Sequence, residues 1–441
     1  MNGADFKVII IADDLTGAND TGVQAVKRGL ATVTVVDPTL VGDTRTDGIV
    51  LDTESRTLPT EDARAAVREA ARTVRSRPDA LLYKKIDSTL RGHIGAELDA
   101  LVRELEPERV VCAPAYPKNH RTTRHGIHLL RGVPIDRTEV AGDPRNPVDT
   151  ARLPDVLAKD GGPRFRHVDL GALRAARTGN LSEGRFLSFD CEEQEDLKRI
   201  VRVMGETGKR ILWCGSAGLA EVLLEEYFPA GTGEGKNRDA KGPELQEGSP
   251  GGIGGDGPVL SVVGSRSSVS LRQVERAIAS TPAHVVRLDS RSLMDSPARE
   301  HARIVRELED WMPRTDHLIL ASGGAEIDPP SAGLAEGHPS QGAFSERLAR
   351  CLADATAEFT RRNRIAGMFL TGGDTAIHIL RAAGARGLRL ESELEAGVPA
   401  GRLIGGFLHG LPVVTKGGGF GDEETLVRSA RHLASQSRDA T

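Results

Sequence analysis

Short apolar runs alternate along this chain with longer segments whose apolar residues recur every three or four positions. In the first half the runs are Val8–Ala12, Thr32–Val36, Gly48–Asp52, Leu81–Lys85, Arg109–Ala113 and Arg210–Cys214. Segments of helical period lie between them at Asp20–Arg28, Glu61–Arg75, Ile94–Leu105, Gln194–Met204 and Leu219–Tyr227. In the second half the runs are Val259–Val263, His284–Leu288, His317–Ala321, Gly367–Leu370 and Val413–Thr415. Helices are predicted there at Val269–Ala279, Ala298–Trp311, Ala343–Arg361, Thr375–Ala383 and Glu423–Ala434. Short apolar runs bounded by turn residues read as buried strands, and the helical period as amphipathic helices. Their repeated alternation predicts an α/β fold of two open, mostly parallel sheets.

The pattern stops over Pro229–Pro258, which is rich in glycine and charge and almost without apolar residues. Such a segment cannot bury enough surface to offset its ordering entropy, so it reads as a flexible linker. The expected layout is an N-terminal domain over 1–228, a linker over 229–258 and a C-terminal domain over 259–441, with a cleft between the domains. Gly252, Gly254 and Gly257 match G-x-G-x-x-G. A dinucleotide site needs a strand before that motif and a helix after it. Here a polar linker precedes it and Pro258 leads into a strand, so the match is rejected.

Composition narrows the function classes. The chain has 441 residues and a net charge of −5, so it has no basic excess to suit a nucleic-acid or anionic-membrane partner. Aromatics at 3% argue against base-stacking platforms. No apolar run is long enough for a transmembrane helix. The start MNGADFKVIIIADD lacks the basic stretch and cleavage site of a signal peptide, so a soluble cytoplasmic protein is expected. Cys112, Cys191, Cys214 and Cys351 form no C-x-x-C pair, which suggests neither a zinc site nor a disulfide framework. Of 58 basic residues only 11 are lysines, and Lys416 is the single lysine after Lys241.

In open α/β sheets ligands sit beyond the carboxyl ends of the strands. The first run leads into Asp13-Asp14-Leu15-Thr16-Gly17-Ala18-Asn19-Asp20. One of the two aspartates can face a ligand, accepting hydroxyls or acting as a base, while the other braces the turn. Alternatively, the acids cap the next helix and Gly17 supplies the turn. After Gly48–Asp52, Arg56 suits bidentate carboxylate recognition, but in an arginine-rich chain it also fits a solvated surface position. The densest cluster is Lys84-Lys85-Ile86-Asp87-Ser88-Thr89-Leu90-Arg91, which offers cations for a carboxylate and acceptors for hydroxyls. The fifth run leads into Ala113–Thr123, where two prolines stiffen the backbone before further polar residues.

The second half offers different chemistry. Val263-Gly264-Ser265-Arg266 joins a strand to a helix, where free N–H groups can receive an anion. Leu370-Thr371-Gly372-Gly373-Asp374-Thr375 lets the backbone approach a ligand closely, and Asp374 beside phosphates makes sense through a bridging Mg²⁺. Ala321-Ser322-Gly323-Gly324 is a similar loop with less chemistry. Thr415-Lys416-Gly417-Gly418-Gly419-Phe420-Gly421 has the make-up of a phosphate cradle. A lysine kept there in an arginine-biased chain hints at a compact ammonium set against phosphate charge. There is no Walker A motif and no protein-kinase set. A polar-acid site in one half and a polyphosphate site in the other fit a small-molecule kinase.

The stretches IADDLTGANDTGVQ, DTESR, KKIDSTLRGHIGAEL, APAYPKNHRTTRHG, WCGSAGLAE, VVGSRS, LTGGDTA and TKGGGFG span nearly the whole chain. Together they resemble the four-carbon acid sugar kinases. The resemblance implies an N-terminal acid-sugar-binding domain and a C-terminal nucleotide-binding domain. It implies ATP-dependent phosphorylation of the terminal 4-hydroxyl of D-threonate, D-erythronate or a 3-oxo-tetronate. By the same resemblance Asp14, Arg56, Lys85, Ile86, Asp87 and Ser88 contact the acid sugar, and Ser265, Gly372, Gly373, Asp374, Thr375 and Gly418 contact ATP. ANDTGVQ is most similar to the threonate-kinase branch. The chain departs from the family at His120, where glycine is usual, at Gly417, where serine is common, and in its long linker and its stretch 325–343.

The expected mechanism is in-line transfer of the γ-phosphoryl group. Arg56 and Lys85 would hold the acid, Asp14 or Asp87 would orient or deprotonate the hydroxyl, Asp374 would position Mg²⁺ and Lys416 would offset phosphate charge. The expected partners are thus a sugar acid and ATP, with no nucleic acid or membrane; oligomeric state is open, a homodimer included. Two rivals stand beside this reading: a two-domain nucleotide-dependent dehydrogenase, and a non-catalytic sugar-acid-binding protein.

Overall fold

A computed structural model describes residues 6–143, 145–177, 181, 183–229, 257–323 and 341–438. The expected linker 229–258 lies almost wholly outside these residues, as do Gly252 and Gly254, Gly324 and most of 325–343. The chain divides into two compact units, residues 1–243 and 244–441. Among the described residues no helix is long and apolar enough to cross a membrane.

The first unit is built on strands whose Val, Ile and Leu side chains are buried on both faces, as a parallel sheet covered by helices requires. These are β1 (Val8–Ala12), β2 (Thr32–Val35), β3 (Gly48–Asp52), β4 (Leu81–Lys85) and β5 (Arg109–Ala113). A small antiparallel sheet follows, β6 (Arg121–Arg124), β7 (Ile127–Leu130) and β8 (Val133–Pro134). The main sheet is completed by β9 (Arg166–Val168), β10 (Phe186–Phe189) and β11 (Ile211–Gly215). Its order is β2-β3-β1-β4-β11-β5-β10-β9, with every pair parallel. One core of this unit gathers Ile10, Tyr83, Trp213 and Phe189 with the helices that cover the sheet.

Helix α1 (Leu15–Val26) starts immediately after β1, not at Asp20 as expected. Asp14 caps it, accepting from the Gly17 N–H at 3.1 Å. Gly17 therefore lies in the first helical turn instead of forming a loop, and Asn19, Asp20 and Thr21 are buried in the helix. α2 (Thr60–Val74) and α3 (Ile94–Leu105) follow β3 and β4.

The second unit has β12 (Val259–Val263), β13 (Ala283–Arg287), β14 (His317–Ala321), β15 (Gly367–Thr371), β16 (Gly387–Glu395), β17 (Val398–Ile404) and β18 (Pro412–Lys416). The order is β13-β14-β12-β15-β18-β17-β16. The first five strands are parallel, whereas β17 runs antiparallel to β18 and β16 antiparallel to β17. The β16–β17 hairpin was not expected. Its charged residues alternate with Leu388, Leu390 and Leu394, a half-buried period-two pattern instead of a continuous apolar run.

Candidate active site

The residues picked after β1, β3 and β4 meet because those three strands are neighbours in the order β3-β1-β4. Arg56 is at the centre. Its Nε donates to Asp13 Oδ2 at 2.8 Å, and its Nη2 to Asp13 Oδ1 at 3.0 Å and Asp14 Oδ1 at 2.6 Å. Both aspartates therefore turn to one guanidinium, so neither is left simply to brace the turn, and Arg56 is no solvated surface residue. Burial would raise the Asp13 carboxyl, but Arg56, with Lys84 and Lys85 beyond it, holds it below the usual range. Asp14 Oδ1 serves both the helix cap and Arg56, which leaves Oδ2 for a ligand.

The two lysines of β4 part company. Lys84 is fully buried and pairs with Glu97 at 2.6 Å, and Glu97 also accepts from Ser55 Oγ at 2.7 Å. Lys85 points the other way, its Nζ filling the space that a side chain at Gly17 would take, next to Asp14. Lys85 makes no ion pair among the described residues, so its charge is available to an anion. Ile86 is buried and gives its N–H to the Gly215 carbonyl at 2.9 Å. Asp87 Oδ2 accepts from Thr89 Oγ1 at 2.5 Å and Arg91 Nε at 2.7 Å. Burial would raise its pKa, but Arg91 and Arg56 outweigh that and hold it well below the ordinary value. The Ser88 carbonyl takes a bond from His128 Nε2 at 2.9 Å, and its hydroxyl has no partner among the described residues.

Asp52, at the end of β3, moves oppositely. Burial, with Glu54 and Asp14 nearby, raises its pKa well above the usual range. Sequence reading left open which of Asp13 and Asp14 faces a ligand, held Arg121 only as one of the polar residues after the fifth run, and missed Asp52 and His128. The pairing of Asp13 with a residue 43 positions away leaves no local signal.

In the second unit the loops after β12, β15 and β18 also belong to neighbouring strands. Gly372 precedes the helix Gly373–Ala382 at φ +97, a left-handed backbone that favours glycine, and no side chain caps the helix there. Asp374 and Thr375 lie in its first turn, and Thr375 Oγ1 packs on Gly264. Gly418 approaches Ser265 so closely that a side chain there would strike the Ser265 hydroxyl. Ser265, Gly372–Thr375 and Gly418 are thus brought together.

Lys416 departs from expectation. Its side chain is buried, and Nζ donates to the carbonyls of Gly417 at 2.9 Å, Gly418 at 3.2 Å and Phe420 at 3.1 Å. The ammonium is turned into its own loop, not out towards a phosphate. The start of the helix Ser268–Ser280 holds carbonyls of the same loop. Ser267 Oγ reaches Gly418 O at 2.5 Å, Ser270 Oγ reaches it at 3.0 Å, and Gln273 Nε2 reaches Phe420 O at 3.2 Å. With carbonyls drawn inward, the N–H groups of Gly418, Gly419 and Gly421 find no acceptor among the described residues. That is the polarity of an anion cradle. Burial brings the Lys416 pKa down to about 7, opposed by Glu395.

Comparison with known proteins agrees with this division of chemistry. A family model described as a sugar-binding N-terminal domain matches residues 8–223, and one described as a nucleotide-binding C-terminal domain matches residues 260–426. A D-threonate kinase of Salmonella typhimurium is 35% identical, over 96% of this chain and 97% of its own. A D-threonate kinase of Bordetella bronchiseptica is 33% identical over 96% of each chain, and a D-erythronate kinase of Heliobacterium modesticaldum 29% over 98% of each. A solved Salmonella typhimurium structure has the same fold, with a TM-score of 0.73 at 22% identity, covering 96% of this chain and 99% of that one. With two domain models in order and full-length similarity to curated kinases, the chain belongs to the four-carbon acid sugar kinase family.

Proposed function

We propose that this protein phosphorylates the 4-hydroxyl of D-threonate with ATP, giving the 4-phosphate and ADP, and that D-erythronate or a 3-oxo-tetronate is its next-best substrate. The observation that carries the reading is the split of chemistry between the units. One gathers cations and ionised carboxylates for a hydroxy acid, and the other holds a glycine loop whose N–H groups find no acceptor among the described residues. Two D-threonate kinases among the full-length relatives support the choice of acid.

In the proposed mechanism Lys85 and Arg56 hold the acid. Asp87, kept ionised by Arg91 and Arg56, anchors a hydroxyl and is a poor store for a proton. That leaves Asp14, through its free oxygen, to orient the attacking hydroxyl and take its proton. The N–H groups of the 417–421 loop and of the start of the helix Gly373–Ala382 hold the phosphates by preorganised dipoles. No group of three or more candidate metal ligands occurs among the described residues. A single carboxylate such as Asp374 fits Mg²⁺, which keeps several waters and leans on substrate phosphates. When bound, Mg²⁺ would supply neutralisation of phosphate charge.

The test is ADP release with Mg-ATP across D-threonate, D-erythronate and 3-oxo-tetronates. Turnover with one of them, fastest with D-threonate, is expected. Silence across the panel with nicotinamide-linked oxidation instead would overturn the reading in favour of a dehydrogenase. Binding without any turnover would favour a sugar-acid-binding protein.

A further inference from the structure

The charges at the strand ends of the first unit pair off unevenly. Lys84 takes Glu97, Arg56 takes Asp13 and Asp14, and Arg91 takes Asp87 at 2.7 Å and Asp143 at 3.1 Å. Two of these cations take no carboxylate among the described residues: Lys85, whose Nζ lies beside Gly17 and Asp14, and Arg121. Its one side-chain hydrogen bond there runs from Nη1 to the Asn119 carbonyl at 2.5 Å, and its Nε is buried with no acceptor.

Strand β6 explains where this guanidinium lies. Thr123 bonds through Oγ1 to His128 Nδ1 at 2.9 Å, and His128 in turn bonds the Ser88 carbonyl. Residues two apart on a strand share a face, so Arg121 lies on the side of β6 that is tied to the Asp87–Ser88 turn. The electrostatics agree. Burial depresses the Arg121 pKa, with Arg131 and Arg91 adding to it and Asp87 opposing. A half-buried cation with a buried, unused donor and cationic neighbours is costly until an anion reaches it.

We propose that Arg121 binds the carboxylate of the sugar acid and so sets the preference for acids over neutral four-carbon polyols. This rests on the reading of the protein as a sugar-acid kinase. A guanidinium suits a carboxylate because its planar donors match the two oxygens.

The test compares wild type with Arg121→Gln and Arg121→Lys. Calorimetry without nucleotide measures binding of D-threonate and of the corresponding polyol, threitol, and steady-state kinetics follow. In Arg121→Gln the acid should bind about tenfold or more weakly while threitol is unchanged, with the KM for the acid raised and the KM for ATP unmoved. Arg121→Lys should recover part of the acid preference. Matched melting temperatures check that the variants fold; should Arg121→Gln not fold, Arg121→Lys alone carries the comparison. An unchanged acid-to-polyol ratio, or a loss confined to kcat, overturns the proposal and leaves the kinase reading standing. Acid binding that depends on Arg121 without any turnover sinks the kinase reading and leaves Arg121 in place. No acid binding by wild type overturns both.

Discussion

Lys416 should couple nucleotide binding to proton uptake near neutral pH. Its pKa is lowered by burial from the ordinary 10.5 to about 7, with Glu395 opposing. Glu395 is itself tied to Thr425 and Arg428. In the nucleotide-free protein about half of the Lys416 side chains carry charge at pH 7, and about a tenth at pH 8. Phosphates arriving at the loop favour the charged form, so binding at pH 8 should take up close to about 0.9 proton. If the bound-state value returns to that of a free lysine, affinity falls by up to about tenfold, or about 1.4 kcal/mol, for each unit above pH 7. Stability moves the opposite way. Between pH 7 and 10.5 the unfolded chain holds more protons at this position than the folded one. The free protein therefore gains stability as pH rises through that window. The assay is calorimetry of a non-hydrolysable ATP analogue at pH 8 in buffers of different ionisation enthalpy, on wild type and Lys416→Met. No net uptake in wild type, or the same uptake in Lys416→Met, would refute the reasoning.

Three further outcomes are expected. Asp374→Ala should lower kcat by about tenfold or more at saturating ATP if this carboxylate positions the metal, and unchanged turnover removes it from the mechanism. Gly418→Ala should raise the KM for ATP by driving a methyl into Ser265, and adding Ser265→Ala should recover part of the loss; additive effects in that double-mutant cycle would contradict the contact. Burial lowers the His128 pKa from 6.5 to about 4. The unfolded chain thus binds more protons between those values, and stability should fall as pH drops through them by at most about 3 kcal/mol. A His128→Phe variant whose melting temperature tracks wild type over that range would count against it.

The strands around the first site were legible because their apolar runs are short, continuous and bounded by turn residues. The loops after β1, β3 and β4 could be chosen from strand ends alone. Other features could not be read this way. The start of α1 was placed late because its buried polar residues Asn19, Asp20 and Thr21 mask the helical period. The β6–β8 sheet and the β16–β17 hairpin mix their apolar residues with charged and polar ones, and no long run marks them.

Taken alone, the sequence determined the α/β class, the two halves and the loops proposed to carry the chemistry. These depend on hydrophobic period and turn residues, which act over a few neighbouring positions. Only the tertiary structure decided which charge meets which. Both lysines of β4 look alike in sequence and both are buried, yet one pairs with Glu97 and the other lies beside Gly17 with no ion pair among the described residues, because successive side chains of a strand face opposite sides. Lys416 stood out by composition as a phosphate partner. Its fold turned the ammonium onto three carbonyls, because a buried cation must satisfy its donors locally. Arg121, ordinary in an arginine-rich chain, became distinctive only when its neighbours Arg91 and Asp87 were found paired with each other.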